Sequence, residues 1–322
     1  MAKILKVLPA LLLAISLLLT AGCFGGEIVV PESVDGSQAS DDTPDAEKTD
    51  EPAPELVQGE DAEDAKPVTE ETASAEITVE EAVLFEAEGV KITVTGYEDG
   101  WMGPEIKMLI ENASERNVIV MAAAVSVNGY MMPMASLYAD VAAGMNAYES
   151  LMIMSSQLDQ SGIDTVAQLQ FYLDIQDADT WDSLAKSDLI TLSTSAAGFE
   201  QPVDDTGDVL YEGDGIGVIC KGLKQDIVWD GTVVFYMENN CGQPVTVYAE
   251  NVAVNGFMQD AGMWSELRDG TRIVDGLSLL DLSDLELTGI DEVETISFSL
   301  RIINSENWNE IAVTDMLTLN FG

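Results

Sequence analysis

The sequence predicts an all-β fold that contains two copies of one domain. Most of residues 84–194 aligns with residues 210–321 at a constant offset of 127 residues, so that Val127-Asn128-Gly129 recurs as Val254-Asn255-Gly256. Apolar and polar residues alternate within each copy, which is the period of a strand that buries one face. Asn-Gly pairs between apolar segments are a strong signal for a β-hairpin, because both residues tolerate a positive φ. These three observations predict a duplicated, antiparallel β domain.

The first predicted strand carries the alternation most clearly. Val90, Ile92 and Val94 alternate with polar residues in the first copy. Ile216, Val218 and Cys220 hold the matching positions in the second copy. The pattern returns twice more in each copy and predicts further half-buried strands, at Ile106, Met108 and Ile110 (matched by Val233, Phe235 and Met237) and at Leu169, Phe171 and Leu173 (matched by Ile296, Phe298 and Leu300).

Irregularities also occur at equivalent places in the two copies. The apolar phase slips by one residue between Ala122 and Val125, and again between Ala249 and Val252. A slip at the same place in both copies predicts a β-bulge or a strand that changes sheets. Residues 155–162 and 282–289 are each expected to form one helical turn that ends at a C-cap glycine. The whole pattern gives about seven strands in about 110 residues per copy, which is typical of an immunoglobulin-like β-sandwich.

The first 23 residues predict the location of the protein. Lys3 and Lys6 precede an apolar run from Val7 to Leu19, and small residues lead into Cys23. The run is shorter than the roughly 20 residues of a spanning helix, so a cleaved leader is favoured over an uncleaved transmembrane helix. The segment LTAGC resembles the bacterial lipobox, in which the cysteine is lipidated and becomes the new N-terminus. The resemblance implies that a lipid on Cys23 anchors the protein to the outer face of the cell membrane.

An acidic, low-complexity segment follows the leader. The formal net charge of the chain is −45. Residues 23–82 combine many Asp and Glu residues with Pro, Ser, Thr and Ala. Such a segment buries too little apolar surface to offset the entropy of ordering, which predicts a disordered tether. A chain this acidic repels nucleic-acid phosphates, so no nucleic-acid partner is expected.

The complete pattern predicts the organisation of the chain. A lipobox, an acidic tether and repeats that contain VxVNG resemble Gram-positive bacterial surface lipoproteins with tandem uncharacterised immunoglobulin-like domains. We therefore expect two tandem immunoglobulin-like β-sandwich domains after a signal peptide and a disordered acidic tether. The expected boundaries are residues 1–22 for the signal peptide, 23–82 for the lipidated Cys23 and the acidic linker, 83–195 for the first repeat, 196–208 for the inter-domain linker and 209–322 for the second repeat.

Two cysteines remain besides Cys23. Cys220 lies on the inward face of a predicted strand, opposite Phe235, and Cys241 lies in the turn after the partner strand. At about 3.4 Å per residue the two cysteines are about 20 Å apart, which is beyond the reach of a disulfide. We therefore expect two free thiols.

Several kinds of chemistry are missing from the sequence. The chain contains no histidine, which excludes Ser-His-Asp and Cys-His catalytic arrangements and imidazole metal ligands. Glycine-rich phosphate loops and Asp-rich calcium loops are also absent from the sequence. We expect no catalytic residues, no cofactor and no metal site.

Tryptophans are the main candidates for ligand contacts. Trp101 and Trp229 lie in the first hairpin loop of each copy, and Trp264 occurs only in the second copy. Aromatic side chains on loops are common anchors for sugars and proteins. Trp181 and Trp308 follow a late strand at equivalent positions, and we expect them to fill the end of the sandwich.

These expectations combine into one function with one alternative. The expected function is recognition of a protein or a glycan at the cell surface by a lipid-anchored, extracytoplasmic and non-catalytic module. The alternative is a structural spacer or an accessory subunit of an envelope or transport complex, with no ligand of its own.

Overall fold

The computed structural model describes residues 76–224, 231–279 and 292–321. The predicted signal peptide, Cys23, most of the acidic tether, Trp229 and the second predicted helical turn lie outside the described residues. The described part is an all-β sandwich fold with antiparallel sheets, as the sequence predicts. One short helix, α1 (Ser155–Gln160), ends before Gly162, which has a positive φ of 65° at the predicted C-cap position.

Each copy, named repeat 1 and repeat 2 below, contributes ten strands within the described ranges, which exceeds the expected number because several are short. Those of repeat 1 are β1 (Ala82–Ala87), β2 (Val90–Gly100), β3 (Gly103–Asn112), β4 (Val118–Val127), β5 (Tyr130–Met131), β6 (Tyr138–Val141), β7 (Asn146–Met152), β8 (Gln168–Asp177), β9 (Ser183–Lys186) and β10 (Ile190–Ser193). Those of repeat 2 follow in the same order, as β11 (Asp208–Gly213), β12 (Ile216–Lys224), β13 (Thr232–Asn239), β14 (Val245–Val254), β15 (Phe257–Met258), β16 (Trp264–Leu267), β17 (Thr271–Ser278), β18 (Thr295–Asn304), β19 (Glu310–Val313) and β20 (Leu317–Asn320).

Two sheets enclose a core in each repeat. In repeat 1, strands β1, β2, β3 and β7 form one sheet, and β4 pairs with β5, β6 and β8 in the other. Ile92 of β2 and Phe171 of β8 are both 0% exposed and belong to the same hydrophobic cluster. Val218 of β12 and Phe298 of β18 belong to the equivalent cluster of repeat 2. The predicted alternation therefore places the apolar residues of both copies between two sheets.

The predicted irregularities and turns are confirmed. The register of β4 shifts between Ala123 and Ser126, and that of β14 shifts between Glu250 and Ala253. Both are β-bulges on strands that stay in one sheet. Asn128 and Gly129 have φ values of 50° and 83°, as a two-residue hairpin turn requires.

One sheet continues from repeat 1 into repeat 2, a feature that no pattern in the sequence predicts. The strand order across the junction is β4-β5-β17-β13. Strand β17 runs parallel to β5, with Arg272 opposite Tyr130, and the Arg272 N–H donates to the Gly129 carbonyl at 2.8 Å. The described residues accordingly form one compact unit that contains both hydrophobic clusters.

The connecting segments are hydrogen-bonded to the repeats. Gln201, in the predicted inter-domain linker, accepts a hydrogen bond from Asn128 at 3.1 Å and donates one to the Gly162 carbonyl at 2.8 Å. Lys221 forms an ion pair with Asp204 at 2.8 Å and thereby holds the pKa of that carboxyl below its usual range. Thr78, which the predicted boundaries place in the acidic linker, donates a backbone hydrogen bond to the side chain of Ser195.

Candidate functional site

Three aromatic rings lie together on the outer face of repeat 2, with Trp264 in contact with each of the other two. The rings of Tyr248 and Trp264 are stacked, with centroids 5.4 Å apart and an interplanar angle of 23°. The rings of Trp264 and Trp308 have centroids 5.8 Å apart. Trp264 is 51% exposed and Trp308 is 66% exposed, while Tyr248 is half-buried. We name Tyr248, Trp264 and Trp308 the aromatic cluster.

Strand register brings the first two rings together. Tyr248 on β14 lies directly opposite Trp264 on β16, so their side chains project from the same face of the sheet. The next pair along these strands, Val247 and Ser265, points the other way and is almost completely buried. The Trp264 indole N–H donates to the Glu266 carboxylate at 3.2 Å, which satisfies its polar group at the surface.

Trp308 reaches the cluster through an unusual turn. The side chain of Asn304 accepts hydrogen bonds from the N–H groups of Glu306 and Asn307, and the Trp308 N–H donates to the Asn304 carbonyl at 2.9 Å. Trp308 has a φ of 62°, which is strained for a bulky residue. The expectation that Trp308 fills the end of the sandwich is wrong, because this turn directs the indole into solvent.

Trp181 of repeat 1 shows the same departure from the expectation. It has a φ of 63° and is 59% exposed, so it does not fill the end of its sandwich either. Its N–H donates to the Asp177 carbonyl at 2.8 Å, in the turn equivalent to that of Trp308. Each tryptophan has a polar residue four positions before it that caps the turn, Asp177 or Asn304. This spacing is the sequence signal that could have identified the exposed indoles.

A cleft of about 550 Å³ lies between the repeats and adjoins the aromatic cluster at Trp264. The repeat 1 wall contains the bulge of β4, which supplies small side chains and exposed backbone. The repeat 2 wall contains β16 and the start of the Trp308 turn. The lining includes Ala122–Val125, Tyr172 and Lys186 from repeat 1 and Trp264–Arg268, Ser305 and Glu306 from repeat 2.

Arg268 lines the cleft and connects its two walls. Its Nε donates to the Ala124 carbonyl at 3.2 Å, and its terminal nitrogens donate to Ser126 Oγ and to Gln170 Oε1. Burial lowers the pKa of the guanidinium from its ordinary value, but an arginine stays charged at neutral pH. The cleft therefore has a fixed cation whose position is set by groups of the other repeat.

Charged groups of both signs border the rest of the cleft. The Lys186 ammonium lies 5.0 Å from the centroid of the Tyr172 ring, which is a cation–π contact. Glu266 and Glu306 lie on the opposite wall and are exposed to solvent. An aromatic surface beside donors and acceptors of this kind can hold a ligand that has both apolar faces and polar substituents.

The sequence-predicted contact residues have different outcomes. Trp264 lies in the aromatic cluster, with Tyr248 and Trp308, which the sequence analysis did not select. Trp101 is 92% exposed at the tip of the β2–β3 hairpin and does not line the cleft. Trp229 and Cys23 lie outside the described residues. The structure thus brings together one of the three predicted tryptophans and two aromatic residues that only the fold identifies.

The remaining predicted chemistry concerns the cysteines and metal ligands. Cys220 and Cys241 are free, and Cys220 lies opposite Phe235 as predicted. Burial raises the pKa of the Cys220 thiol, which lowers its reactivity. Within the described ranges, no group of three His, Cys, Asp or Glu side chains is arranged to hold a metal ion. No helix in this part of the chain has the length and apolar character needed to cross a membrane.

Comparisons with known proteins add little. No protein-family model and no curated protein matches the sequence. Among solved structures, similarity extends to the exo-chitosanase of Amycolatopsis orientalis, with 12% identity and a TM-score of 0.23 over 73% of this chain and 26% of that enzyme. It also extends to red sea bream transglutaminase, with 8% identity and a TM-score of 0.18 over 75% of this chain and 31% of that enzyme. This chain spans less than a third of either protein, and TM-scores this low carry no argument about fold or function.

Proposed function

We propose that this chain is a lipid-anchored, extracytoplasmic binding protein that recognises a glycan at the cell surface and does not modify it. The observation that carries the proposal is the aromatic cluster. Two of its three rings are more than half exposed, although each ring packs on a neighbour. A rigid, exposed aromatic surface binds ligands with little loss of conformational entropy.

A glycan fits this surface better than an apolar ligand does. Pyranose rings present flat C–H faces that pack on indole rings, while their hydroxyl groups need donors and acceptors. Glu266 accepts the Trp264 N–H at the edge of the aromatic cluster. Arg301, opposite Tyr248 on β18, lies beside the cluster in ion pairs with Glu250 and Glu310. Apolar faces and polar groups of the ligand would therefore both find partners.

The charged groups at the cleft support binding rather than hydrolysis. Glycoside hydrolysis uses a carboxylic acid whose pKa is raised by burial, paired with a second carboxylate. Glu266 and Glu306 border the cleft, but both are exposed to solvent. The chain also has no histidine to act as an acid or a base.

A binding experiment with insoluble glycans tests this function. Residues 24–322, which lack the predicted leader and lipid, are incubated with purified peptidoglycan sacculi, cellulose and xylan, and the bound fraction is measured after sedimentation. We expect the parent to bind at least one of these glycans and Trp264→Ala to reduce the bound fraction strongly. Trp101→Ala is the matched control, because it removes a fully exposed indole that lies outside the cleft.

The other outcomes of this experiment are also informative. Loss of binding in Trp101→Ala, with Trp264→Ala unaffected, would place the site on the β2–β3 hairpin and contradict the assignment. A folded parent that binds none of the glycans would contradict glycan recognition and favour the spacer function. Release of soluble sugars from the bound glycan would contradict the non-catalytic part of the proposal.

A further inference from the structure

Repeat 1 has side chains at the same three positions that form the aromatic cluster of repeat 2. Met121 on β4 lies directly opposite Tyr138 on β6, as Tyr248 lies opposite Trp264. Trp181 occupies the turn after β8 that Trp308 occupies after β18. Tyr138 is 54% exposed and Trp181 is 59% exposed, while Met121 is half-buried. Repeat 1 therefore carries a large apolar or aromatic side chain at each of the three positions, and the exposed indole is present in both repeats.

The turn of Trp181 argues that its side chain has a role. The Asp177 carboxylate accepts the N–H groups of Asp179 and Thr180, as the Asn304 amide does in repeat 2. This turn forces a φ of 63° on Trp181, and glycine would adopt that angle without strain. A bulky residue in a strained backbone conformation, with its ring in water, is an observation that points to function. Here the same combination occurs twice in one chain.

We propose that repeat 1 carries a second glycan site formed by Met121, Tyr138 and Trp181, so that one molecule binds a glycan chain at two points. This inference rests on the proposed function of the aromatic cluster. The second site is the weaker of the two, because Met121 supplies a flexible thioether where Tyr248 supplies a flat ring. Its polar neighbours also differ, since Asp174 of β8 stands opposite Met121 where Arg301 stands opposite Tyr248.

Two sites on one compact unit favour a polymeric ligand. The shared sheet and the Arg268 hydrogen bonds connect the repeats. A polymer that occupies one site therefore presents further sugar units to the other site at a high effective concentration. A short oligosaccharide gains nothing from this arrangement, so the polymer is bound more tightly than its short fragments.

Glycine substitutions provide a test that spares the fold. Trp181→Gly and Trp308→Gly each remove an indole and leave a residue that tolerates the positive φ of the turn. Isothermal titration calorimetry with cellohexaose, xylohexaose and muramidase-released peptidoglycan fragments measures the number of sites in residues 24–322. We expect two sites in the parent, one in each single variant and none in the double variant. Trp101→Ala should retain two sites.

Binding to the polymer gives the second measurement. On the insoluble form of the same glycan, the apparent affinity should fall by about 10²-fold in Trp181→Gly, because the multivalent contribution is lost. One site in the parent, with Trp181→Gly unaffected, would overturn the inference and leave the proposed function intact. No binding of any probe by the folded parent would overturn both.

Discussion

Arg268 of repeat 2 donates a hydrogen bond from Nη2 to Oγ of Ser126, which directly follows the bulge of β4 in repeat 1. The bulge also leaves the Ala124 carbonyl free to accept the Arg268 Nε–H. Repeat 2 has its own bulge at the equivalent place, but Ala253 stands there instead of Ser126. An irregularity that both copies share is therefore used for docking in only one of them.

Replacement of Arg268 should weaken the junction. Arg268→Ala leaves the Ser126 hydroxyl, in a residue that is 1% exposed, without its partner. An unsatisfied buried polar group costs about 1–3 kcal/mol, so the free energy of unfolding should fall by about that amount in urea titrations.

Arg116→Ala is the matched control for Arg268→Ala. The exposed Arg116 side chain forms an ion pair with Asp177, at 3.8 Å, and its removal should change stability by less than about 0.5 kcal/mol. Equal effects of the two substitutions would contradict the role assigned to Arg268.

The strained turn of Trp308 should make a glycine variant more stable than an alanine variant, which reverses the usual order of stability. Glycine normally destabilises a folded position relative to alanine, but the φ of 62° favours glycine here. The left-handed conformation costs an L-residue about 1 kcal/mol, so Trp308→Gly should be more stable than Trp308→Ala by about that amount. Chemical denaturation of the two variants measures the difference. An alanine variant that is equally stable would show that the turn carries no such strain.

Asp275 should make stability depend on pH. It lies on β17, accepts a hydrogen bond from the Ser265 hydroxyl at 2.7 Å, and has a pKa that burial raises above its ordinary value. Because the folded state favours the protonated acid, stability that is present at acidic pH is lost as the pH rises through the raised pKa. Asp275→Asn does not titrate, so its stability relative to the parent should increase from acidic to neutral pH.

A second substitution tests the sign of that effect. Ser265→Ala removes a donor that favours the ionised form of Asp275, so the loss of stability with rising pH should become steeper than in the parent. The free energy of unfolding is measured against pH for the parent, Asp275→Asn and Ser265→Ala. If the three profiles ran parallel between acidic and neutral pH, Asp275 would not be the source of the pH dependence.

The predicted anchor can be tested in the native host. Cys23→Ser should move the protein from the membrane fraction to the soluble fraction, because the proposed lipid would be attached through the Cys23 thiol. Intact-mass measurement of the parent should show the added acyl chains. Cys241→Ser, which removes a half-buried thiol of repeat 2, should leave the membrane association unchanged. If Cys23→Ser remained on the membrane with an unchanged mature mass, the lipoprotein interpretation would be wrong.

Local sequence patterns predict much of this fold. The period of two places Cys220 opposite Phe235, and the Asn-Gly pairs and the phase slips locate the hairpin turns and the bulges. These features depend on the preferences of a few adjacent residues, which a single sequence reveals.

The site depends on longer-range relationships. Trp264 faces Tyr248 only because β16 pairs with β14, and β16 is too short to give a periodic signal. The junction pairs Tyr130 with Arg272, which are far apart in the sequence and carry no local pattern. The exposure of Trp308 follows from the φ of its turn, which overrides the general tendency of large apolar rings to be buried.

The shared sheet also has a consequence for separating the two repeats into fragments. Strand β5 ends the sheet of repeat 1, and β17 covers it. A fragment cut within residues 196–208 would expose that strand edge, together with the buried Ser126 and Tyr130. Bare edges of this kind recruit other chains. An isolated repeat 1 would also lose Tyr236 of repeat 2 from its hydrophobic cluster, so it is expected to self-associate.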